Sequence, residues 1–213
     1  MKKSFFISCL LLIAFTIKIF SQGQQQSSPL EDDNIYGNPY LLKDWSNGVI
    51  RFTSGRVINE FKLKFDCAKN LLMLQFKGSA FGAESKVNEF VIYPKGKNKD
   101  SMNFKKGYPV SETGIAETFY QVLVQGKITL LKHYYKAIVE EKKLIVTTAS
   151  RRYEDREIYY LLQDGIMSKA GDENEMAISR LPDSYATLKE LAAKEKIKTE
   201  EDLARLIRTI NER

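Results

Sequence analysis

The stretch Val57-Ile58-Asn59-Glu60-Phe61-Lys62-Leu63-Lys64-Phe65 decides the fold class of this chain. Its charged side chains alternate with apolar ones, and successive side chains of a β-strand point to opposite faces of a sheet. The alternation therefore predicts one strand, half buried and half wet. The buried face would hold Val57, Phe61, Leu63 and Phe65, and the wet face Glu60, Lys62 and Lys64.

The sequence on either side of this strand predicts further strands that would join it in a sheet. Residues 48–52 form a predicted strand and residues 53–56 a tight turn, which gives a hairpin with the strand that starts at Val57. Leu71–Phe76 is apolar on both faces, which predicts a central position in the sheet. A fourth strand, Val87–Tyr93, is predicted after a glycine-rich turn at residues 78–82.

The second half of the chain continues the same pattern. Residues 94–117 show little periodicity, which predicts a long loop with a short strand near Phe104. The pair Asp164-Gly165 predicts a primed hairpin turn between strands at residues 157–162 and 166–169. Further strands are predicted at residues 118–125, 127–139 and 144–149. About eight to ten strands without intervening helices predict an antiparallel β-sandwich or a partly open barrel over residues 36–182.

Residues 183–213 change to helical spacing. A first short helix is predicted from a cap at Asp183 or Ser184 to about Lys196. Thr199 and Asp202 resemble a capping box, and the apolar side chains that follow have helical spacing: Leu203, Leu206, Ile207 and Ile210. We expect this C-terminal pair of short α-helices to pack on the β domain, although an amphipathic helix can also dock in a partner's groove.

Residues 1–23 predict a secretory signal peptide. A charged start precedes an apolar run at residues 5–15, and small or polar residues follow at positions 21–23. Lys18 interrupts the run before the roughly 20 apolar residues that a spanning helix needs, so an uncleaved anchor is the weaker alternative. Cys9 lies inside the run, which disfavours lipid attachment. Residues 24–35 are expected to form a flexible polar leader.

Removal of that peptide would change the charge and the cysteine content. Lys2, Lys3 and Lys18 account for half of the formal net charge of +6, so we expect no specific nucleic-acid binding. Cys67 would be the cysteine that remains, which excludes an internal disulfide. The stability of the folded protein should therefore come from an apolar core.

Several stretches of the chain carry a family resemblance. They are Gly37-Asn38-Pro39-Tyr40 with Trp45, the strand-turn-strand unit at residues 48–66, the run at residues 119–132, and Tyr159-Tyr160-Leu161 before the closing helices. In these features the chain resembles signal-bearing exported proteins of Bacteroidota-type bacteria, a family without an assigned activity. The resemblance covers most of the chain after residue 23. It implies export, a β-rich body and a helical tail, and it transfers no functional residue.

Catalytic and metal-binding patterns are scarce in the sequence. His133 is the single histidine, which leaves few ways to build a catalytic triad or a zinc site, and a structural or surface role is expected for it. Cys67 has Lys69 nearby, which favours a thiolate, but the imidazole that thiol catalysis usually requires lies far along the chain. Carboxylates cluster on predicted loops and at a helix start, where a facing acid-base pair is rare. No residue is therefore predicted to be catalytic or to bind a metal.

Two groups of side chains are candidates for binding. The predicted loop after Tyr93 carries five lysines that would suit an anionic surface: Lys95, Lys97, Lys99, Lys105 and Lys106. Tyr134 and Tyr135 combine apolar area with a hydrogen-bonding tip and could line a ligand site. The simpler interpretation is solvated lysines and tyrosines packed in the sheet.

These observations predict an exported, non-enzymatic envelope protein, periplasmic or extracellular, with a binding or structural role and no cofactor. The expected partner is an anionic envelope component or another protein. The alternative is a secreted enzyme of an unrecognised class that uses His133 or carboxylates for acid-base chemistry.

Overall fold

The computed structural model describes residues 35–96, 100–111, 114–141 and 150–213. Within these residues twelve strands form one sheet: β1 Ile35–Tyr36, β2 Ser46–Phe52, β3 Val57–Ile58, β4 Lys62–Asp66, β5 Leu71–Phe76, β6 Ser79–Gly82, β7 Val87–Tyr93, β8 Met102–Lys105, β9 Tyr120–Val124, β10 Thr129–Glu141, β11 Ser150–Gln163 and β12 Ile166–Asp172. Two α-helices follow, α1 Ala186–Glu195 and α2 Glu200–Asn211. The predicted signal peptide and almost all of the predicted leader lie outside the described residues.

Hydrogen bonds join the strands in the order β1-β11-β10-β9-β8-β7-β2-β4-β5-β6, with β12 also on β11 and β3 also on β2. Every pair is antiparallel except β1 with β11, which is parallel. The predicted mainly β, antiparallel fold with a C-terminal helical pair is thus confirmed. It takes the form of one open sheet.

The stretch at residues 57–65 is not one strand, which corrects the prediction. The predicted hairpin with β2 forms, with Ile50 opposite Ile58, but the strand breaks after Ile58 and resumes at Lys62. Leu63 and Phe65 are buried as expected, whereas Val57 is 49% exposed. The break shifts the alternation of side chains, so Val57 no longer shares the buried face.

Strand β5 was predicted to be central, and this was wrong. It pairs with β4 on one side and with β6, the last strand of the sheet, on the other. Residues 78–82 were predicted as a turn, yet Ser79–Gly82 forms β6, and the turn is reduced to Lys77 and Gly78 with positive φ. Strand β6 thus pairs with the outer edge of β5, while Leu71 and Met73 on the second face of β5 are only half-buried.

A long hairpin of β10 and β11 runs through the second half of the sheet. Its register is regular from Thr129 opposite Leu162 to Glu141 opposite Ser150. The strand predicted at residues 144–149 lies outside the described residues. The predicted turn between β11 and β12 is confirmed, because Asp164 and Gly165 have φ of 51° and 78°, the left-handed values that a primed turn requires.

Among the residues that the structure describes, three groups of buried side chains form the core. The phenylalanine core, around Phe65, Phe90, Phe104 and Phe119, lies between β2, β4, β5, β7 and β8. The tyrosine core contains Tyr120, Leu131, Ile158 and Tyr160. The helix-sheet core joins β9 to β12 to both helices and includes Leu130, Leu161, Leu188, Leu203, Leu206 and Ile207.

The helix boundaries follow local capping chemistry. The predicted capping box of α2 is confirmed: Thr199 Oγ1 accepts from the Asp202 N–H at 3.1 Å, and Asp202 accepts in return from the Thr199 N–H at 3.2 Å. The predicted side-chain cap of α1 is wrong. Asp183 and Ser184 belong to a 3-10 turn that runs into α1, and no side chain in the described part of the chain caps it.

Candidate functional site

The predicted lysine group does not form one exposed patch in the described residues. Lys95 is exposed after β7 and Lys105 is half-buried on β8, while Lys97 and Lys99 lie outside the described residues. The Lys106 side chain is only 10% exposed. Its ammonium donates to the Ser85 carbonyl at 2.7 Å, pairs with Glu117 and lies 5.4 Å from the Phe119 ring centre. Lys106 therefore links the loop before β7 to the loop before β9.

Tyr134 and Tyr135 point to opposite faces of β10. The Tyr134 hydroxyl donates to Gln121 Oε1 at 2.7 Å, and burial raises its pKa to about 12. The Tyr135 ring stacks on His133 with centres 5.5 Å apart. Both tyrosines contribute to the lining of a small cleft of about 120 Å³ that also includes Cys67.

The two residues best suited to nucleophilic or acid-base chemistry are both buried. Burial raises the pKa of the Cys67 thiol to about 12, so the lysine effect anticipated from Lys69 does not produce a thiolate. Burial lowers the pKa of His133 to about 4, and its ring also lies 5.3 Å from that of Tyr120. His133 is therefore neutral at pH 7 and packs within the tyrosine core.

A four-residue polar network at the junction of the sheet and α2 was not predicted from the sequence. The Lys132 ammonium lies 2.6 Å from Glu157 Oε2 and 2.8 Å from Glu200 Oε2. The single proton of the Tyr159 hydroxyl is shared between the same two oxygens, which lie 3.2 Å and 3.0 Å from the hydroxyl oxygen. Lys132 and Tyr159 are cross-strand partners in the β10–β11 hairpin, and Glu200 is the first residue of α2.

The network holds Lys132 as a charged ammonium. Burial alone would lower the pKa of this lysine, but Tyr134, Glu157 and Glu200 raise it above its ordinary value. Burial raises the pKa of the Tyr159 hydroxyl, which stays protonated. These side chains can position a helix and accept hydrogen bonds, whereas Lys132 has no lone pair with which to act as a nucleophile.

A polar cleft of about 230 Å³ opens beside the network. Its lining is Glu157, Tyr159, Asp172, Glu173, Asn174, Glu175, Met176, Lys198, Thr199 and Glu200. One wall is the loop after β12, where Asp172 Oδ1 accepts from the Asn174 N–H at 3.1 Å and from the Glu175 N–H at 3.3 Å. These bonds, with Lys169, lower the pKa of Asp172. The opposite wall is the capped start of α2.

Basic side chains surround the carboxylates of this polar cleft. Besides Lys132, the closest pairs are Lys169 with Asp172 at 3.2 Å, Arg156 with Glu173 at 3.1 Å and Arg180 with Glu175 at 3.5 Å. The cleft thus presents many oxygen acceptors while its charge is largely balanced. Among the described residues, no group of His, Cys, Asp and Glu has the arrangement that holds a metal ion.

The cleft escaped prediction because its lining comes from three separate stretches of the chain. The carboxylates at residues 172–175 and 200–202 were visible in the sequence and were assigned to a loop and a helix start. Their meeting at one place depends on the docking of α2 on β11.

No helix in the described part of the chain has both the length and the apolar character needed to cross a membrane. Comparison of this chain with protein-family models, with curated proteins and with solved structures finds no match in any of the three.

Proposed function

We propose that this chain is an exported, non-enzymatic envelope protein that binds a small polar molecule in the polar cleft. The observation that carries the proposal is the cleft itself, about 230 Å³ in volume, with its base fixed by the Lys132 network. A preformed concave site with converging polar groups is the usual place for a small ligand. The export part of the proposal rests on residues 1–23 of the sequence.

The chemistry of the lining suggests the class of ligand. Carboxylate oxygens accept hydrogen bonds only, and Tyr159 already donates to Glu157 and Glu200. A ligand rich in hydrogen-bond donors, such as a sugar or an amino sugar, therefore complements the cleft best. The basic partners around the carboxylates reduce the preference for a multiply charged cation.

The state of the reactive side chains supports a role without catalysis. Cys67 is a buried thiol with a pKa of about 12, and His133 is a buried neutral imidazole. Lys132, next to the cleft, is an ammonium held between two carboxylates. At neutral pH Cys67 and Lys132 both hold their protons, which disfavours nucleophilic attack by either, and His133 is packed inside the tyrosine core at 5% exposure.

A titration followed by ¹H–¹⁵N NMR tests this proposal, with glucosamine and glucose as the probes. We expect saturable shifts at the amides of Asn174, Glu175 and Thr199, and we expect Asn174→Trp to abolish them by filling the cleft mouth. Lys194→Trp, on the exposed side of α1, is the matched control and should leave the shifts unchanged. The absence of saturable shifts with both probes would refute a donor-rich ligand.

The same spectra distinguish the predicted anionic partner. If phosphatidylglycerol vesicles perturb Lys95 and Lys105, and neither sugar perturbs the cleft amides, the binding site is the predicted lysine group and the cleft proposal is wrong. Binding of that kind should weaken as salt is added, because exposed charges are screened.

A further inference from the structure

The outer half of strand β10 has an edge without a neighbouring strand in the described residues. Strand β9 pairs with β10 at Leu130, Leu131 and Lys132, and beyond that point the described residues of β10 pair with β11 alone. Residues 134–141 are here called the free edge. A row of unpaired backbone groups on a strand edge is a template for another strand.

The side chains of the free edge are self-complementary about Ile138. Because the register with β11 is regular, Lys136, Ile138 and Glu140 point to the same face. Two copies of the edge, paired antiparallel with Ile138 opposite itself, place Lys136 of each copy opposite Glu140 of the other. Opposite charges in directly facing cross-strand positions stabilise a sheet, and like charges destabilise it.

The neighbouring strand extends this complementarity into a charge row. In the hairpin, Lys136, whose side chain is only 8% exposed, lies opposite Asp155 and forms an ion pair with it, and Glu140 lies opposite Arg151. Across the paired edges, four side chains of alternating charge would then lie side by side. Arg151 and Glu140 would come from one copy, and Lys136 and Asp155 from the other. In the centre, Ile138, which is 48% exposed, would be covered by its own counterpart.

We propose that the free edge of β10 is a homodimer interface, in which a second copy of this chain adds its β10 antiparallel about Ile138. Such a two-fold contact is closed, because each copy contributes the same surface, and it would join two sheets into one. The inference is independent of the polar cleft, whose lining does not include the free edge.

Sedimentation velocity over a range of protein concentrations tests the interface. We expect a concentration-dependent dimer for the unchanged chain. Ile138→Asp and Ile138→Lys each place like charges opposite one another and should raise the dimer dissociation constant by about tenfold or more. Ile166→Asp and Ile166→Lys are the matched controls, because Ile166 is 62% exposed at a distant turn, and they should leave the constant unchanged.

Mixing the two Ile138 variants tests the register. An equal mixture of Ile138→Asp and Ile138→Lys should recover a dimer that contains one chain of each kind, since position 138 faces itself. A monomer at all concentrations up to about 1 mM overturns the proposal. A dimer that the Ile138 variants do not weaken, or a mixture that fails to recover it, also overturns it. Circular dichroism of each variant confirms that the fold is retained.

Discussion

His133 shows how burial on a sheet face changes the chemistry of one residue. Its ring is 5% exposed and lies between the rings of Tyr120 and Tyr135. Burial disfavours the imidazolium ion and lowers the pKa of His133 to about 4 from the ordinary 6.5. The single histidine of the chain is therefore an internal packing residue that becomes charged only in acid.

This difference in pKa predicts a pH-dependent stability. Below pH 6.5 the unfolded chain binds a proton at His133 that the folded chain binds only near pH 4, so stability falls as the pH drops through that interval. Between pH 7 and pH 5 this residue should lower the free energy of unfolding by about 2 kcal/mol. Urea denaturation at the two pH values measures the change.

The variant His133→Phe provides the control, because it keeps an aromatic ring and cannot titrate. We expect the loss of stability between pH 7 and pH 5 to shrink by about the same 2 kcal/mol, whatever the absolute stability of the variant. An equal loss in both proteins would mean that His133 has an ordinary pKa in the folded state.

At the residue scale, sequence reasoning succeeds where a role depends on near neighbours. It gave His133 a structural or surface role, of which the first agrees with the burial of the residue, and the alternation rule implies that Tyr134 and Tyr135 face opposite ways. The Lys132 network could not be predicted, because Glu200 lies 68 positions away along the chain. Lys106 was assigned to a solvated loop for the same reason: the groups that bury it, Ser85 and Glu117, become neighbours only in the fold.

At the scale of elements, the Asn211 side chain fixes α2 to the sheet, because its amide bonds to the backbone as a neighbouring strand would. Asn211 Oδ1 accepts from the Ile128 N–H at 2.9 Å, and Asn211 Nδ2 donates to the Ile128 carbonyl at 2.9 Å. Gly126 makes room for this contact, since a Cβ there would lie 2.3 Å from Asn211 Nδ2. The turn before β10 and the end of α2 are thus matched to each other.

Removing this contact should destabilise the protein measurably. Asn211→Ala leaves the N–H and carbonyl of buried Ile128 without partners, and we expect the free energy of unfolding to fall by about 1–3 kcal/mol. Asn211→Asp keeps the acceptor but sets a carboxylate oxygen against the Ile128 carbonyl at the C-terminal end of α2, so it should not restore the stability. Glu212→Ala, at the exposed next position, is the control for chemical denaturation. Equal stability of Asn211→Ala and the unchanged chain would contradict the role assigned to the contact.

Elements whose form depends on a few adjacent residues could be predicted from the sequence. Elements whose form depends on pairing with distant strands could not. The Asp164-Gly165 turn and the Thr199–Asp202 capping box are encoded in a few adjacent residues, and both are confirmed. The break between β3 and β4 and the short strand β6 depend on pairing with β2 and β5. A pattern of alternating residues contains no information about which strand will lie beside it.

At the scale of the whole molecule, the helices and the sheet share one core. Leu203, Leu206 and Ile207 of α2 are at most 1% exposed and pack with Leu130 and Leu161 of the long hairpin. The sequence left open whether the C-terminal helices dock on this sheet or on a partner. Their burial favours docking on the sheet. The pattern of apolar residues alone could not decide between this sheet and the apolar groove of a partner.

Deletion of residues 183–213 tests that answer. We expect the truncated chain to aggregate or to bind the dye ANS, because the helix-sheet core would be open to water. The single substitution Leu206→Ala perturbs the same core less and should lower the free energy of unfolding by about 2–5 kcal/mol. Arg205→Ala, on the exposed face of α2, should change that free energy little. A soluble truncated chain with a cooperative thermal transition would show instead that the helices are dispensable for folding.

The contact between Asn211 and Ile128 joins residues 83 positions apart, and it has a consequence for biogenesis. While a ribosome or a translocation channel still holds residues 200–211, the hairpin of β10 and β11 has already emerged. The apolar face that α2 will cover is then exposed to water. Contacts that close late along the chain slow folding and lengthen the period in which nascent chains can associate. The nascent protein should therefore depend on chaperone protection until its last helix is released.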